Sequence, residues 1–491
     1  MEKRSAEAQD IKRPEALPTE ITPLTPGEYA MAEKKLLRKI DLRIMPCLFL
    51  VIVLNYLDRN ALANARVQGI EEYLGLEGSE FNTAISVLFA GYLALQIPSN
   101  LILTRVRPSL YLPGCMILWG IVSACGAAVQ GFSGLVAVRF MLGVVEAPYF
   151  PGALFLLSSW YTKKELALRT AILYAGALLS GGFGGLIGAG IQYGMDGARG
   201  LESWRWLFII EGSCTVALAT LSMFILPDYP HTTKSLSPLE RAIAIRRLQD
   251  TTAQADEEKG TLLHGLRLAV TDYRVWLLAL IVISITSAGA VVSFIPTLVD
   301  TFGYDKIETL LLVAPPYVFS TIFALMVSYS SDKFTSRSWH IFVPMSVGLA
   351  GYIIAASTLA LAARYVALFL MLAGVHGSYN IALAWISSTL PRPIEKRSAA
   401  IAIINTVGNV AQIYSPYLYL SEDAPRYIKA MATDSSFCLL CICAALVQRL
   451  CLQRANRKMA QEDGTGAEAA DDKEREMGVG RTYDERFRYV L

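Results

Sequence analysis

IMPCLFLVIVLNYLDRNALA, residues 44–63, is an apolar run in which only Asp58 and Arg59 carry charge. A helix needs about 20 such residues to cross roughly 30 Å of hydrocarbon. Eleven further apolar runs follow, so the sequence predicts an all-α membrane protein of twelve transmembrane helices. The predicted spans are 44–63, 82–103, 110–129, 134–158, 168–191, 204–226, 275–298, 309–329, 339–361, 365–390, 398–420 and 432–451.

The overall composition agrees with a membrane protein. Hydrophobic residues make up 54% of 491 positions and charged residues 18%, whereas about a quarter is usual in soluble proteins. The net charge of +2 comes without a separate basic face, so we expect no nucleic-acid partner. The polar N-terminus does not resemble a cleaved secretory signal. The eight cysteines fall in or beside apolar spans, where we expect small buried side chains and no metal.

The polar stretches divide the chain. We expect a cytoplasmic N-terminal segment (1–43), a six-helix half (44–226), a central loop (227–274), a second six-helix half (275–451) and a largely disordered tail (452–491). In the central loop, Ser237-Pro238-Leu239-Glu240 predicts a capping box and a short surface helix.

Basic residues predict the orientation in the membrane. Lys and Arg flank the spans on the side that holds both termini and the central loop, while the alternate loops are acidic. Because cytoplasmic loops are enriched in Lys and Arg, both termini are predicted to be cytoplasmic. We expect a monomeric, multi-pass protein of the plasma membrane.

The two halves resemble each other weakly. Ser99-Asn100 with Arg105 follows span two, and Ser331-Asp332 with Arg337 follows span eight at the same spacing. Duplicated halves are typical of transporters whose substrate site lies between them. Chance similarity between apolar segments is the alternative.

Charged residues inside predicted spans mark the candidate site, because a charge in hydrocarbon costs about 2.5–3.5 kcal/mol and is kept only if it faces protein or water. Asp58 and Arg59 lie late in span one, ~21 Å from its cytoplasmic start at 1.5 Å per residue. Arg139 and Glu146 share one face of span four, two turns apart. The two pairs are therefore expected at similar depth, where they can meet.

These residue types suit proton-coupled anion transport. A buried carboxylate can take a proton, and a neighbouring arginine can hold an anion, so that the binding of one alters the binding of the other. The alternative is that both pairs are static ion pairs between helices. We expect a structural role for Glu211, close to Arg205, and a helix-packing role for His376. Polar side chains that could contact substrate are Tyr92, Asn405, Asn409 and Gln412.

Enzymatic patterns do not occur in the sequence. It contains neither a glycine-rich phosphate loop followed by Lys-Ser or Lys-Thr, nor a His/Glu metal motif. We therefore predict neither an enzyme nor an ATP-driven pump, and no cofactor.

Several motifs together resemble the anion:cation symporter family of the major facilitator superfamily, in particular its fungal branch of allantoate, nicotinate and pantothenate permeases. The likeness covers about residues 40–491. The motifs are NYLDRNALANA (55–65), QIPSNLILTRVRPSLYLP (96–113), RFMLGVVEAPYFPG (139–152), SWRWLFIIEG (203–212), LPDYPHTTKSLSPLER (226–241), EKRSAAIAIINTVGNVAQIYSPYLY (395–419) and TYDERFRYVL (482–491).

The resemblance implies a role for each matching residue. It implies that Asp58 and Glu146 act in proton coupling and that Arg59 and Arg139 bind or orient the anionic substrate. Tyr92 is implied to contact substrate, and Asn405 and Asn409 to do likewise. Cytoplasmic gating is implied for Arg105, Asp332 and Arg337. Asn100 replaces the acid of the wider superfamily's loop motif, which weakens a gating role in the first half.

The sequence thus predicts a proton-coupled symporter of a small organic anion of the carboxylate, vitamin or ureide class. The same fold would also serve an exporter of a fungal metabolite. A third alternative is a receptor or scaffold without transport activity. The expected partners are the organic anion, a proton and the lipid bilayer.

Overall fold

The computed structural model of the protein describes residues 25–103, 106–233, 235–253, 262–390, 394–477 and 490. Within this part of the chain, twelve helices are long enough to form the predicted bundle. They are α1 (Pro26–Val67), α2 (Glu80–Leu103), α3 (Pro108–Cys125), α4 (Phe132–Ser158), α5 (Lys163–Met195), α6 (Ser203–Ile225), α7 (Tyr273–Asp300), α8 (Lys306–Lys333), α9 (Trp339–Ser357), α10 (Leu361–Thr389), α11 (Ile394–Tyr414) and α12 (Ile428–Met477).

Hydropathy and length agree with a membrane bundle. Among the described residues, ten of these helices are long and apolar enough to cross a membrane. The other two, α2 and α11, occupy the positions of the predicted second and eleventh spans. The all-helical membrane fold of two six-helix halves is therefore confirmed.

The same pattern of helix packing occurs in both halves. In the first half α1 packs on α5, α2 on α4, and α3 on α6. In the second half α7 packs on α11, α8 on α10, and α9 on α12. Each pairing repeats six helices later, which is the arrangement expected of a duplicated six-helix unit.

The halves meet mainly where α5 packs on α8 and α2 packs on α11, and α1 also contacts α7 and α8. The α5–α8 contact depends on glycine: a Cβ on Gly185 would lie 2.6 Å from the carbonyl oxygen of Leu310, and one on Gly181 would strike the Tyr317 ring. Small residues allow this close approach. The glycine-rich fifth helix thus forms part of the interface between the halves.

Helix α1 begins at Pro26, well before residue 44, the predicted start of the first span. Thr25 and Glu28 form a capping box, with Pro26 at the first helical position. Residue 44 therefore marks where the helix becomes apolar and not where it starts.

Helix α4 is interrupted in the middle. Its first segment is Phe132–Glu146 and its second is Tyr149–Ser158. Pro148 lies at the break and has no N–H to donate to the preceding turn. Glu146 is thus the last residue before the interruption.

The central segment packs against the end of the bundle at which α1 begins, which we call the near end. Its helices are Pro238–Ala253 and Leu262–Thr271. The predicted capping box is present: the Glu240 N–H donates to Ser237 Oγ at 3.2 Å, and the Ser237 N–H donates to Glu240 Oε2 at 2.9 Å. Lys39 of α1 pairs with Glu240 at 2.8 Å.

At the opposite end, where α1 ends and α2 begins, the two halves are joined. We call this the far end. Asn82 Nδ2 donates to the carbonyl oxygens of Pro416 at 2.6 Å and Tyr419 at 3.0 Å. Below them, the Phe294 ring stacks on Tyr419 with ring centroids 4.5 Å apart and meets Phe81 edge-on at 6.5 Å. These contacts close the far end.

The last helix continues to Met477, through residues that the sequence assigns to a disordered tail. The stretch AEAADDKEREM consists mostly of strong helix formers, which allows α12 to extend as helix beyond its apolar part.

Candidate functional site: a cavity between the two halves

A cavity of about 220 Å³ lies between the halves. Tyr174 is about 17 Å from the near-end start of α5, and Phe89 about 14 Å from the far-end start of α2, so the cavity is near mid-bundle. A cavity of about 150 Å³ already holds benzene, so this one can admit a small organic molecule. Its polar and aromatic lining residues are Tyr56, Arg59, Asn60, Phe89, Arg139, Tyr174, Thr286, Ser293, Tyr317, His376, Tyr379, Asn380, Asn409 and Gln412.

Arg59 of α1 and Glu146 of α4 form an ion pair at the cavity wall. The Arg59 side chain is 15% exposed and Glu146 only 1%. Asn55, one turn before Arg59, donates its amide to the same Glu146 oxygen. Glu146 Oε2 has no hydrogen-bond partner among the described residues. The acid therefore has one occupied and one available oxygen.

Aromatic rings surround the Arg59 guanidinium. Its Cζ lies 5.1 Å from the ring centroid of Tyr56, 4.9 Å from that of Tyr92 and 6.0 Å from that of Phe89. Such contacts hold a guanidinium plane in position while leaving donors available. Tyr92 thus lies against the predicted anion-binding arginine, although it does not line the cavity.

Asp58 points away from the cavity into the first half and does not pair with Arg59. Its carboxylate accepts hydrogen bonds from Ser123 Oγ at 2.5 Å, Trp119 Nε1 at 3.1 Å and Thr215 Oγ1 at 3.1 Å. Hydroxyl groups can also accept, so Ser123 and Thr215 could receive a hydrogen bond from a protonated Asp58. This site accommodates both charge states of the acid.

Arg139 of α4 connects the two predicted pairs. Its Nη1 lies 3.5 Å from the carbonyl oxygens of Asp58 and Arg59, at the outer limit of hydrogen bonding. Its Nη2 is buried and has no hydrogen-bond partner among the described residues. The centroid of the Phe208 ring lies 5.5 Å from the Cζ atom of Arg139. Arg139 thus lines the cavity and also has a buried donor that is not used.

The wall contributed by the second half is polar and carries no Lys or Arg among its described lining residues. His376 Nδ1 lies 3.0 Å from Ser320 Oγ, so this histidine both packs and lines the cavity. Asn409 lines the cavity and donates to Asn405 at 3.4 Å. Asn405 lies one turn away, behind Asn409.

Two of the predicted gating residues, Asp332 and Arg337, lie away from the cavity. Asp332 and Arg337 form an ion pair at 2.7 Å at the near end of α8, about four turns from Tyr317 of the cavity wall. Arg105 lies outside the described residues. The structure therefore does not bring Asp332 or Arg337 into contact with the cavity.

The sequence did not single out several residues of the site. Tyr56 and Asn60 flank the Asp58–Arg59 pair, and Tyr174 and Tyr379 face each other across the two halves with ring centroids 6.3 Å apart. Polar residues next to an intramembrane charge could have indicated the first two. Tyr174 and Tyr379 are unremarkable in apolar spans, and only the packing of the halves brings them together.

Arg205 is not the partner of Glu211. It pairs with Glu202 at 2.9 Å and donates to the carbonyl oxygen of Ala127, while Glu211 lies two turns further along α6. No cluster of three His, Cys, Asp or Glu side chains suited to a metal occurs in the described ranges.

Comparison with known proteins agrees with this architecture. Residues 48–416 match the family profile described as Major Facilitator Superfamily. The major facilitator-type transporter hxnP of Emericella nidulans is 31% identical over 470 residues, 94% of each chain. The MFS-type transporter cnsO of Penicillium expansum is 32% identical over 412 residues, 81% of this chain and 79% of that protein.

Solved structures share the fold. A bacterial homologue of the human lysosomal transporter Spinster, in an inward-facing and occupied conformation, is similar with a TM-score of 0.65 at 15% identity, over 83% of this chain and 96% of that one. A D-xylose-proton symporter is similar with a TM-score of 0.63 at 14% identity, over 82% of this chain and 97% of that one.

Proposed function

Because this chain belongs to the Major Facilitator Superfamily, a family of membrane transporters, we propose that it is a symporter that carries a small organic anion together with a proton by alternating access. The observation that carries this proposal is the balance of charges beside the cavity. The positive charges of two arginines, Arg59 and Arg139, balance the negative charges of two acids, Asp58 and Glu146.

Charge balance couples the anion to the proton. With both acids ionised, the four residues sum to zero, and an anion that enters alone leaves one uncompensated negative charge in a low-dielectric cavity. Such a charge costs several kcal/mol. Protonation of one acid restores neutrality. Anion and proton are therefore expected to bind together, in a ratio of one to one.

The anion is proposed to bind at Arg139. Arg139 lines the cavity, and its buried Nη2 group has no hydrogen-bond partner among the described residues. A guanidinium group can bind a carboxylate through two parallel hydrogen bonds. Arg59 is held by Glu146, and it becomes a second anion ligand when Glu146 takes a proton. Tyr92, Asn405 and Asn409 are proposed to support the bound substrate.

The two acids are proposed to carry the proton in turn. Glu146 pairs with Arg59 of the cavity wall and has an available oxygen. Asp58 does not line the cavity, and its hydroxyl partners suit both of its charge states.

The opposite wall restricts the substrate. With both cations in the first half, an anion with one charged group and an uncharged, hydrogen-bonding or aromatic body fits best. A second carboxylate would meet His376 and Asn409 instead of a fixed cation.

The closed far end supports an inward-open state, in which the near end, both termini and the central segment 227–274 face the cytoplasm. The six-helix halves 44–226 and 275–451 would then rock about the cavity, while Arg105, Asp332 and Arg337 act in near-end gating. A monomer in the plasma membrane suffices for this cycle.

A transport assay on purified protein in liposomes tests the proposal. Counterflow is measured with labelled monocarboxylates, dicarboxylates, ureides and neutral vitamins, with and without a pH gradient. We expect monocarboxylates to accumulate inside the liposomes when the proton gradient is directed inward. Accumulation driven by the opposite gradient would indicate an exporter, and exchange of neutral compounds only would contradict an anion carrier.

A further inference from the structure

Glu211 is a buried acid that the proposed transport cycle does not use. It lies in α6, next to last in the motif SWRWLFIIEG (203–212), and is 2% exposed. Neither of its carboxyl oxygens has a hydrogen-bond partner among the described residues. Buried polar groups are nearly always paired, so two unpaired oxygens on one side chain require an explanation.

The charged groups that face Glu211 come from two helices. Asp58 of α1 and Arg139 of α4 are the ionisable residues that interact with it electrostatically. Arg139 lies over the ring of Phe208, one turn before Glu211 on the same face of α6. The Arg139 guanidinium therefore lies beside the face of α6 that carries Glu211.

Helix α3, which packs closely on α6, carries no charged residue at this level. A Cβ on Gly212 would lie 2.6 Å from the Gly120 carbonyl oxygen and 2.9 Å from Ala124 Cβ, so the two backbones are in close contact. Glu211 is thus buried beside a close backbone contact between α3 and α6. No further titratable group of α3 is placed to compensate a charge there.

An ionised Glu211 is therefore disfavoured in this conformation. A carboxylate without a hydrogen-bond donor in an apolar interior loses its hydration and gains nothing in return. It would also leave the cluster of Asp58, Arg59, Arg139 and Glu146 with one excess negative charge. A protonated Glu211 keeps the cluster neutral.

We propose that Glu211 is a third proton-binding site, which holds its proton in this conformation and exchanges it by pairing with Arg139. Arg139 has an unused Nη2 donor, and Glu211 has two unused acceptors. Loss of the proton would convert Glu211 into a counter-ion for Arg139. Glu211 thus competes with any other anion for the same guanidinium, in a role distinct from that of Asp58 and Glu146.

Carbodiimide labelling of the full-length protein in lipid nanodiscs tests this inference without a substrate. Dicyclohexylcarbodiimide enters from the lipid and reacts with protonated carboxyl groups in apolar surroundings, and mass spectrometry locates the adduct. Glu211 is expected to be labelled at neutral pH and to lose labelling at alkaline pH. Glu202, the partly exposed acid that precedes α6 and pairs with Arg205, serves as the unlabelled control.

Two arginine variants test the pairing. Arg139→Gln should keep Glu211 labelled at alkaline pH, because the ionised form has lost its counter-ion. Arg59→Gln, the matched control, should leave the pH dependence at Glu211 unchanged. An unlabelled Glu211 at neutral pH in the wild-type protein overturns the proton site. Labelling with the same pH dependence in wild type and Arg139→Gln overturns the pairing. Neither readout depends on which substrate is carried.

Discussion

Arg59 and Glu146 are separated by 87 positions in the chain, and their side chains meet at the wall of the cavity. Arg59 follows Asp58 in α1, and Glu146 lies two turns after Arg139 in α4, but the ion pair joins the two helices and does not form within either one. A change of charge on either helix therefore acts on the other helix. This arrangement suits a coupling device better than two independent static pairs.

Amide variants of the acids should separate exchange from accumulation. Asp58→Asn and Glu146→Gln keep the side-chain shape but cannot titrate. Both proteins are expected to fold and to exchange substrate at equal concentrations, and to lose accumulation driven by a pH gradient. Counterflow measured beside gradient-driven uptake checks this, with Glu202→Gln as the matched control amide. Wild-type accumulation in both amide variants would rule out proton coupling by these acids.

Arginine variants should distinguish an anion site from a structural ion pair. Arg139→Lys is expected to weaken substrate binding by about 10–100-fold, because a point charge replaces a planar fork. Arg59→Gln leaves Glu146 without its cation, at a cost of about 3–5 kcal/mol if the acid stays ionised. The double variant Arg59→Gln/Glu146→Gln should recover stability but not anion binding. Anion binding is measured by isothermal titration calorimetry, and stability by thermal unfolding. Normal anion binding in the double variant would contradict a ligand role for Arg59.

Surface labelling tests the orientation. The loop around Glu77 and Gly78 is exposed at the far end, while Lys39 and Glu240 mark the near end. An epitope inserted after Glu77 should be accessible in intact cells, and epitopes at either terminus only after permeabilisation. The reverse pattern would place the near end outside and invert the proposed topology.

The Lys39–Glu240 contact predicts a pH-dependent stability of the central helix Pro238–Ala253. Burial raises the pKa of Glu240, but hydrogen bonds from Lys39 and from the Ser237 N–H outweigh it and hold the pKa below its usual value. A lowered pKa in the folded state means that the contribution is present at neutral pH and is lost as the pH falls through the folded-state pKa. For an exposed pair it should be at most about 1 kcal/mol.

Glu240→Gln isolates this charge, because glutamine also fits a capping box. Hydrogen exchange in the central helix should be faster in the variant at neutral pH and equal to wild type at acidic pH. A difference that persists unchanged at acidic pH would point to the capping box instead of the charge.

Much of the fold could be read from the sequence, because lipid-length apolar runs and the positions of charges are local properties. The contact of Arg59 with Glu146 was also foreseeable, since both lie at similar depth in the membrane. The hydrogen-bond partners of Asp58 could not be predicted from the sequence. Ser123 and Thr215 are ordinary residues in apolar spans, and their hydroxyl groups reach Asp58 only because α3 and α6 pack closely at Gly120 and Gly212.

Glu211 is a second residue whose surroundings could not be predicted from the sequence. Its nearness in sequence to Arg205 suggested a pair, but Arg205 turns to Glu202 at the start of the same helix. Helical spacing determines which residues share a face, while the neighbouring helix determines which of them find a partner.

The far-end contact of Asn82 has a consequence for the resting population of the transporter. Its acceptors, the carbonyl oxygens of Pro416 and Tyr419, belong to the main chain of the opposite half. Side-chain substitution can therefore remove the donor but not the acceptors. Two hydrogen bonds contribute about 1–3 kcal/mol in net terms, which corresponds to a factor of roughly 5–150 in a conformational equilibrium. A single amide on α2 thus affects the fraction of molecules whose far end is closed. The same fraction determines how many molecules can bind substrate from one side of the membrane.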